Sequence, residues 1–159
     1  MAASASWRSI SVSAVARRYY VRGVEELRRG DVEQAREDFR SALELAPTFG
    51  EARIAYAHAL ARTSEAPRAA QLLRTGLGRP GIRDRERTAL LRALGDVLIA
   101  AGDYRGAEEA YFEASRAGDR VGIQQVDLHD RLARLRAKTG RFAEALDELL
   151  AAARGLNPR

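Results

Sequence analysis

Four times along this chain a small residue is followed twelve positions later by an alanine: Gly23 and Ala35, Ala57 and Ala69, Gly95 and Ala107, Ala133 and Ala145. Four positions after each alanine stands a large apolar residue, Phe39, Leu73, Tyr111 or Leu149. Seven after it comes another small one, Ala42, Gly76, Ala114 or Ala152, and five before it a turn former, Gly30, Ser64, Gly102 or Gly140. Periodicity of this length constrains the fold more than any single motif.

Each slot has a physical reason. Two antiparallel helices joined by a tight turn approach closely only where both carry small side chains, so each Gly/Ala pair marks a helix crossing. The large residue one turn further on fills the space beside the crossing, and the next small residue admits the following helix. The turn needs a residue that tolerates positive φ, which glycine supplies. The expected core is therefore the crossing set plus Phe39, Leu73, Tyr111 and Leu149.

The pattern resembles the tetratricopeptide-repeat (TPR) family, whose signature is W-x2-L-G-x2-Y, then A-x3-F, then P. The first unit carries Tyr19, Gly23, Gly30, Ala35, Phe39, Ala42 and Pro47 at the matching slots. The third carries Leu91, Leu94, Gly95, Leu98, Gly102, Ala107, Tyr111 and Ala114. The second and fourth follow by size rather than identity, with Ala57 or Ala133 for the glycine and Leu73 or Leu149 for the aromatic. The resemblance implies an all-α fold, a right-handed α-solenoid of four antiparallel helix hairpins, with units at 16–49, 50–83, 88–121 and 126–159. The extra tetrads 84–87 and 122–125 are each about one helical turn, so helices of the third and fourth units should start a turn early. Pro67 fits the first turn of a helix.

Composition narrows the function. The 159 residues suit one domain, and 46% apolar content suffices for a core. No run of 18 apolar residues could span a bilayer. The absence of cysteine excludes a disulfide framework, a thiolate metal site and a cysteine nucleophile. Of 27 cations only Lys138 is lysine, a skew that points to a GC-rich, bacterial genome. The net charge of +5 raises the alternative of an Arg-rich nucleic-acid-binding helical protein. The excess sits mainly in 50–83, with six cations against two anions, and no aromatic stacking platform or DNA-reading motif accompanies it. Elsewhere Glu33, Arg36, Glu37 and Arg40 exemplify the paired charges of a solvated helix face. Residues 1–15, rich in Ser and Ala with Arg8 and no acid, share the composition of a mitochondrial presequence. The arginine bias argues against that, and no compact apolar run serves a secretory signal, so the reading is an N-terminal tail or the start of the first helix, with Trp7 docked on the first hairpin and the protein cytoplasmic.

No catalytic constellation is found: no GxxxxGK[ST] loop, GxGxxG turn or GxSxG elbow. His58 and His129 lack the spacing of metal ligands and read as ordinary surface histidines. Neither enzyme activity, a metal nor a cofactor is expected. The family resemblance implies instead a protein-interaction adaptor or scaffold, part of a larger complex, that binds a partner peptide or helix in a concave groove lined by the first helix of each hairpin. Carried over, the lining is Arg17, Tyr20, Val21, Val24 and Leu27 in the first unit, and Glu51, Ile54, Ala55, His58 and Arg62 in the second. The third contributes Arg92, Ala93, Asp96 and Ile99, and the fourth Asp127, Asp130, Arg131, Arg134 and Lys138. Tyr20, Val24, Ile54 and Ile99 are the expected apolar anchors, with exposed arginines such as Arg92 and Arg131 fixing acidic side chains. Tyr20, Val24 and Ala55 stand where family members that clamp a chaperone-tail carboxylate carry polar residues, which argues against that ligand. The last helix repeats Phe142, Ala145, Leu146, Leu149, Leu150, Ala153 and Leu156 with no capping helix after it. That surface should be covered by a partner protein or by a second copy, as a homodimer, the partner being favoured.

Overall fold

The computed structural model describes residues 4–120 and 126–156, with side chains described at 14–120 and 126–154. The expectations for Trp7, for the tetrad 122–125 and for the Leu156 side chain lie outside these residues. Every regular element among the described residues is an α-helix. The helices fall into two compact units, residues 1–76 and 77–159. The first holds α1 (Ser4–Arg29), α2 (Val32–Leu45), α3 (Gly50–Arg62) and, but for its last residue, α4 (Ala66–Leu77). The second holds α5 (Asp84–Ala100), α6 (Tyr104–Asp119), α7 (Val126–Lys138) and α8 (Phe142–Leu156). No helix among the described residues is long and apolar enough to cross a membrane.

The four turn formers do the same job at each hairpin. Gly30, Gly102 and Gly140 have φ of 89°, 79° and 80°, and Ser64, a non-glycine, is held at 63°. After each of them the next amide reaches back five residues: Asp31 to Glu26 O, Glu65 to Leu60 O, Asp103 to Leu98 O and Arg141 to Arg136 O, at 2.8–3.0 Å. This left-handed residue with a 6→1 bond is the Schellman end of a helix. In two hairpins an aspartate then starts the second helix, Asp31 accepting from the Gln34 amide and Asp103 from that of Gly106.

The crossings are as the repeat requires. Ala35, Ala57, Ala69 and Ala107 have no exposed surface, and Ala133 and Ala145 are buried. Gly23 lies under the ring of Phe39, where a methyl group would stand 2.7 Å from Phe39 Cε1, and Gly95 lies in the same way under Tyr111. Phe39, Leu73 and Tyr111 are wholly buried. Leu149 is not: it is 48% exposed, a correction to its expected core role. The cause is neighbourhood. Phe39 and Tyr111 belong to α2 and α6, which are packed by α3 and α7 as well as by their own partners, whereas α8 packs on α7 and its far side is open.

Charged side chains tie the second unit across its helices. Glu108 of α6 accepts from Arg136 of α7 at 3.0 Å and from Arg141 at 2.7 Å. Arg136 also donates to Glu148 of α8 at 2.7 Å, and His129 Nδ1 lies 2.6 Å from that same carboxylate. His129 is thus a cross-link between α7 and α8 rather than an ordinary surface histidine, because Glu148 one hairpin arm away comes within reach of it. The Arg141 and Arg136 guanidiniums hold Glu108 below its usual pKa of 4.5.

Ser64→Gly should raise unfolding free energy by about 1 kcal/mol, by relieving the left-handed strain, and Gly102→Ala should lower it by a similar amount. Urea unfolding of each variant measures both. Because the folded-state pKa of Glu108 is depressed, its stabilisation is complete above the unfolded value and is lost as pH falls through the folded one. Glu108→Gln should therefore narrow the difference between urea midpoints measured at pH 7 and at about pH 3.

Candidate partner-binding surface

In the second unit the chain opens a cleft of about 360 Å³ between α5, α6 and α7. Its walls are Asp96, Ile99, Tyr111, Asp127, Asp130, Arg131 and Arg134. Helix pitch explains the gathering. Asp96 and Ile99 are three apart on α5, and Asp127, Asp130, Arg131 and Arg134 follow at offsets of zero, three, four and seven on α7, so each set shares one face. Tyr111 enters from beneath: its ring fills the crossing over Gly95 and its hydroxyl donates to Asp96 Oδ1 at 2.6 Å. Burial, with the Asp96 hydrogen bond and charge adding to it, pushes the Tyr111 hydroxyl above its ordinary pKa, so it stays a donor.

The charges of the cleft are cross-linked. Arg131 donates to Asp96 of α5 and, at 3.2 Å, to Asp127 of its own helix. Arg92 pairs with the same Asp127 oxygen, so Asp127 bridges α5 and α7. Arg134 pairs with Asp130 at 2.9 Å but remains 80% exposed. Six residues expected from sequence, Asp96, Ile99, Asp127, Asp130, Arg131 and Arg134, thus line one cleft, and Arg92 braces it from its edge. Two expectations need correction. Arg92 and Arg131 are not freely exposed cations, since their side chains are only 36% and 31% accessible and are taken up by Asp127 and Asp96. Ala93, expected in the lining, is buried at 3% because it sits on the inward side of α5.

The expected residues of the first unit are less gathered. Tyr20 is half-buried, its ring 5.1 Å from Phe49 and 6.0 Å from Phe39, with Arg17 over Phe49 at 5.7 Å. Its ring serves packing, and of the expected apolar lining of α1 Val21 and Val24 stand open, 59% and 44% exposed. On α3, Ile54, Ala55 and His58 are half-buried, while Glu51 and Arg62 are exposed. Lys138 of α7 lies over the Tyr104 ring at 5.3 Å. At the α8 surface Phe142, Leu146 and Leu150 are 71%, 57% and 46% exposed.

Sequence reasoning missed Tyr111 as a wall of the cleft, having assigned it to the core alone. The signal was present: a tyrosine where the repeat accepts phenylalanine carries a hydroxyl that needs a partner. Phe49 and the buried Asp38, gripped by both arms of Arg22 at 2.5 Å, were also missed. Arginines in the basic segment are partly committed too. Arg53 is buried and donates to the carbonyls of Pro47 and Leu72, Arg68 pairs with Glu65, and Arg79 with Glu86. Among the described residues no group of three or more His, Cys, Asp or Glu is placed to hold a metal ion.

Tetratricopeptide-repeat family models match residues 26–79 and 92–159. Solved structures agree in fold. A crystal structure of MamA aligns at a TM-score of 0.68 with 17% identity, covering 88% of this chain and 77% of that one. MamA (residue 41 to the end) from Desulfovibrio magneticus RS-1 aligns at 0.67 with 16% identity, over 87% and 73%. YrrB, described as a TPR protein with an unusual peptide-binding site, aligns at 0.59 with 18% identity, over 88% and 68%. No curated protein matches the sequence. Repeat, helix hairpins and family models agree: the chain belongs to the tetratricopeptide-repeat family.

Proposed function

We propose that this chain is a cytoplasmic protein-interaction scaffold, a subunit of a larger assembly, that holds a peptide or helix of another protein and carries out no chemistry of its own. The observation that carries the reading is the α5–α7 cleft, where residues from three helices meet around Ile99 with their charges already paired. Such pairing fixes the walls before a ligand arrives, so little side-chain freedom is lost on binding. The ligand this favours sets an apolar side chain beside Ile99 and an acidic one within reach of Arg134, the most exposed cation of the cleft. YrrB is described as having a peptide-binding site, and a peptide is the ligand class proposed here.

Affinity capture from native lysate with the full chain as bait, read by mass spectrometry, tests the proposal. Ile99→Glu and Arg134→Glu should each deplete the partners held by the wild type. Phe112→Glu, on an exposed position of α6 outside the cleft, should not. Capture unchanged by both cleft variants would contradict the assignment. Arg131→Glu is expected to act differently, lowering unfolding free energy by about 1–2 kcal/mol, because a third carboxylate would face Asp96 and Asp127. Thermal melting separates that effect from loss of binding.

A further inference from the structure

The exposed side of α8 is a continuous apolar stripe. Phe142, Leu146, Leu149 and Leu150 are 71%, 57%, 48% and 46% exposed, and their spacing of four, three and one places them on one helical face with exposed Ala153. The repeat says what shape of neighbour this face accepts. Leu149 occupies the slot of Phe39 in α2 and Tyr111 in α6, both wholly buried, and α2 and α6 are packed by a further helix, α3 and α7. A helix is therefore what fits α8.

α1 of another copy is a poor candidate for that helix. The slots that hold Ala52, Tyr56 and Ala59 in α3, and Leu128, Leu132 and Leu135 in α7, are buried and apolar. In α1 the same slots hold Arg18, Arg22 and Glu25. Laying these on the leucines of α8 would strip water from charges with no partner there to receive them.

α8 of a second copy meets both requirements. Beside the stripe, on one flank, lie Asp147 and Arg154, two helical turns apart, exposed, of opposite sign, and without an ion pair among the described residues. When two helices pack antiparallel about a two-fold axis, the same flank of each comes together. Asp147 of one copy then lies beside Arg154 of the other, and the pair forms twice. Small Ala153 within the stripe lets the helices approach. We infer that α8 is the interface of a two-fold homodimer, with Leu146, Leu149 and Leu150 at its centre and reciprocal Asp147–Arg154 pairs at its rim. This surface shares no residue with the α5–α7 cleft, so the dimer and the peptide-binding reading stand or fall separately.

Sedimentation velocity on the full chain over a range of concentrations tests it. The expected species has twice the 17.5 kDa chain mass. The double variant Leu146→Asp, Leu150→Asp should sediment as a monomer with its helical circular dichroism intact, since both side chains are exposed. Asp147→Arg and Arg154→Asp should each weaken dimerisation about tenfold by setting like charges together, and the two combined should restore it. A wild-type monomer would overturn the inference, as would a dimer that survives the leucine changes. Failure of the combined charge exchange to recover what each single change lost would overturn it as well, and so would species that grow beyond the dimer, which would indicate head-to-tail stacking.

Discussion

Each hairpin depends on one steric complementarity: the small residue of its first helix must leave room for the large residue of its second. Gly23 lies under Phe39 and Gly95 under Tyr111, with no space for even a methyl group. In the second hairpin the partition moves by a step, with the wholly buried Ala57 and Leu73 in the two slots; the fourth has Ala133 and Leu149 there, the leucine half exposed. A smaller large residue admits a larger small one. Interiors pack at crystal-like density, so a shift of one methylene in either slot is felt by the other. Glycine inside a helix costs about 1 kcal/mol relative to alanine, and its use at two crossings indicates that the aromatic ring repays more than that.

The candidate site grows out of this packing. Tyr111 belongs to both: its ring closes the α5–α6 crossing, and its hydroxyl sets the position of Asp96, which in turn holds Arg131 of the next hairpin. Disturbing the crossing would thus move the wall of the cleft. The charged lattice of Glu108, Arg136, Glu148 and His129 ties α7, which carries much of the cleft wall, to α6 and α8. Partly buried pairs of this kind fix relative helix position more than they add stability, since desolvation offsets much of their attraction.

What could be read from the sequence divides along the same line. The turns at Gly30, Ser64, Gly102 and Gly140 and the crossing residues were legible because they answer to local backbone geometry and to a spacing repeated four times. The burial of Leu149 was misjudged because it depends on whether a further helix lies alongside, a fact that no residue within the repeat encodes. The lining of α5 and α7 was legible as faces, since helical pitch fixes which residues sit together. The commitment of Arg92 and Arg131 to Asp127 and Asp96 was not. A guanidinium on a long side chain selects its partner from several carboxylates, and the choice is settled by how far neighbouring hairpins are rotated.

The account rests on the coupling of the small and large slots, and a double-mutant cycle at Gly23 and Phe39 measures it most directly. Gly23→Ala alone should destabilise the protein by about 1–3 kcal/mol despite the better helix former, because its methyl group meets the ring. In a Phe39→Leu background the same change should be neutral or stabilising, since it recreates the Ala57–Leu73 pairing, giving a coupling energy of at least about 1 kcal/mol by urea unfolding. Additive effects, with Gly23→Ala costing the same in both backgrounds, would contradict it.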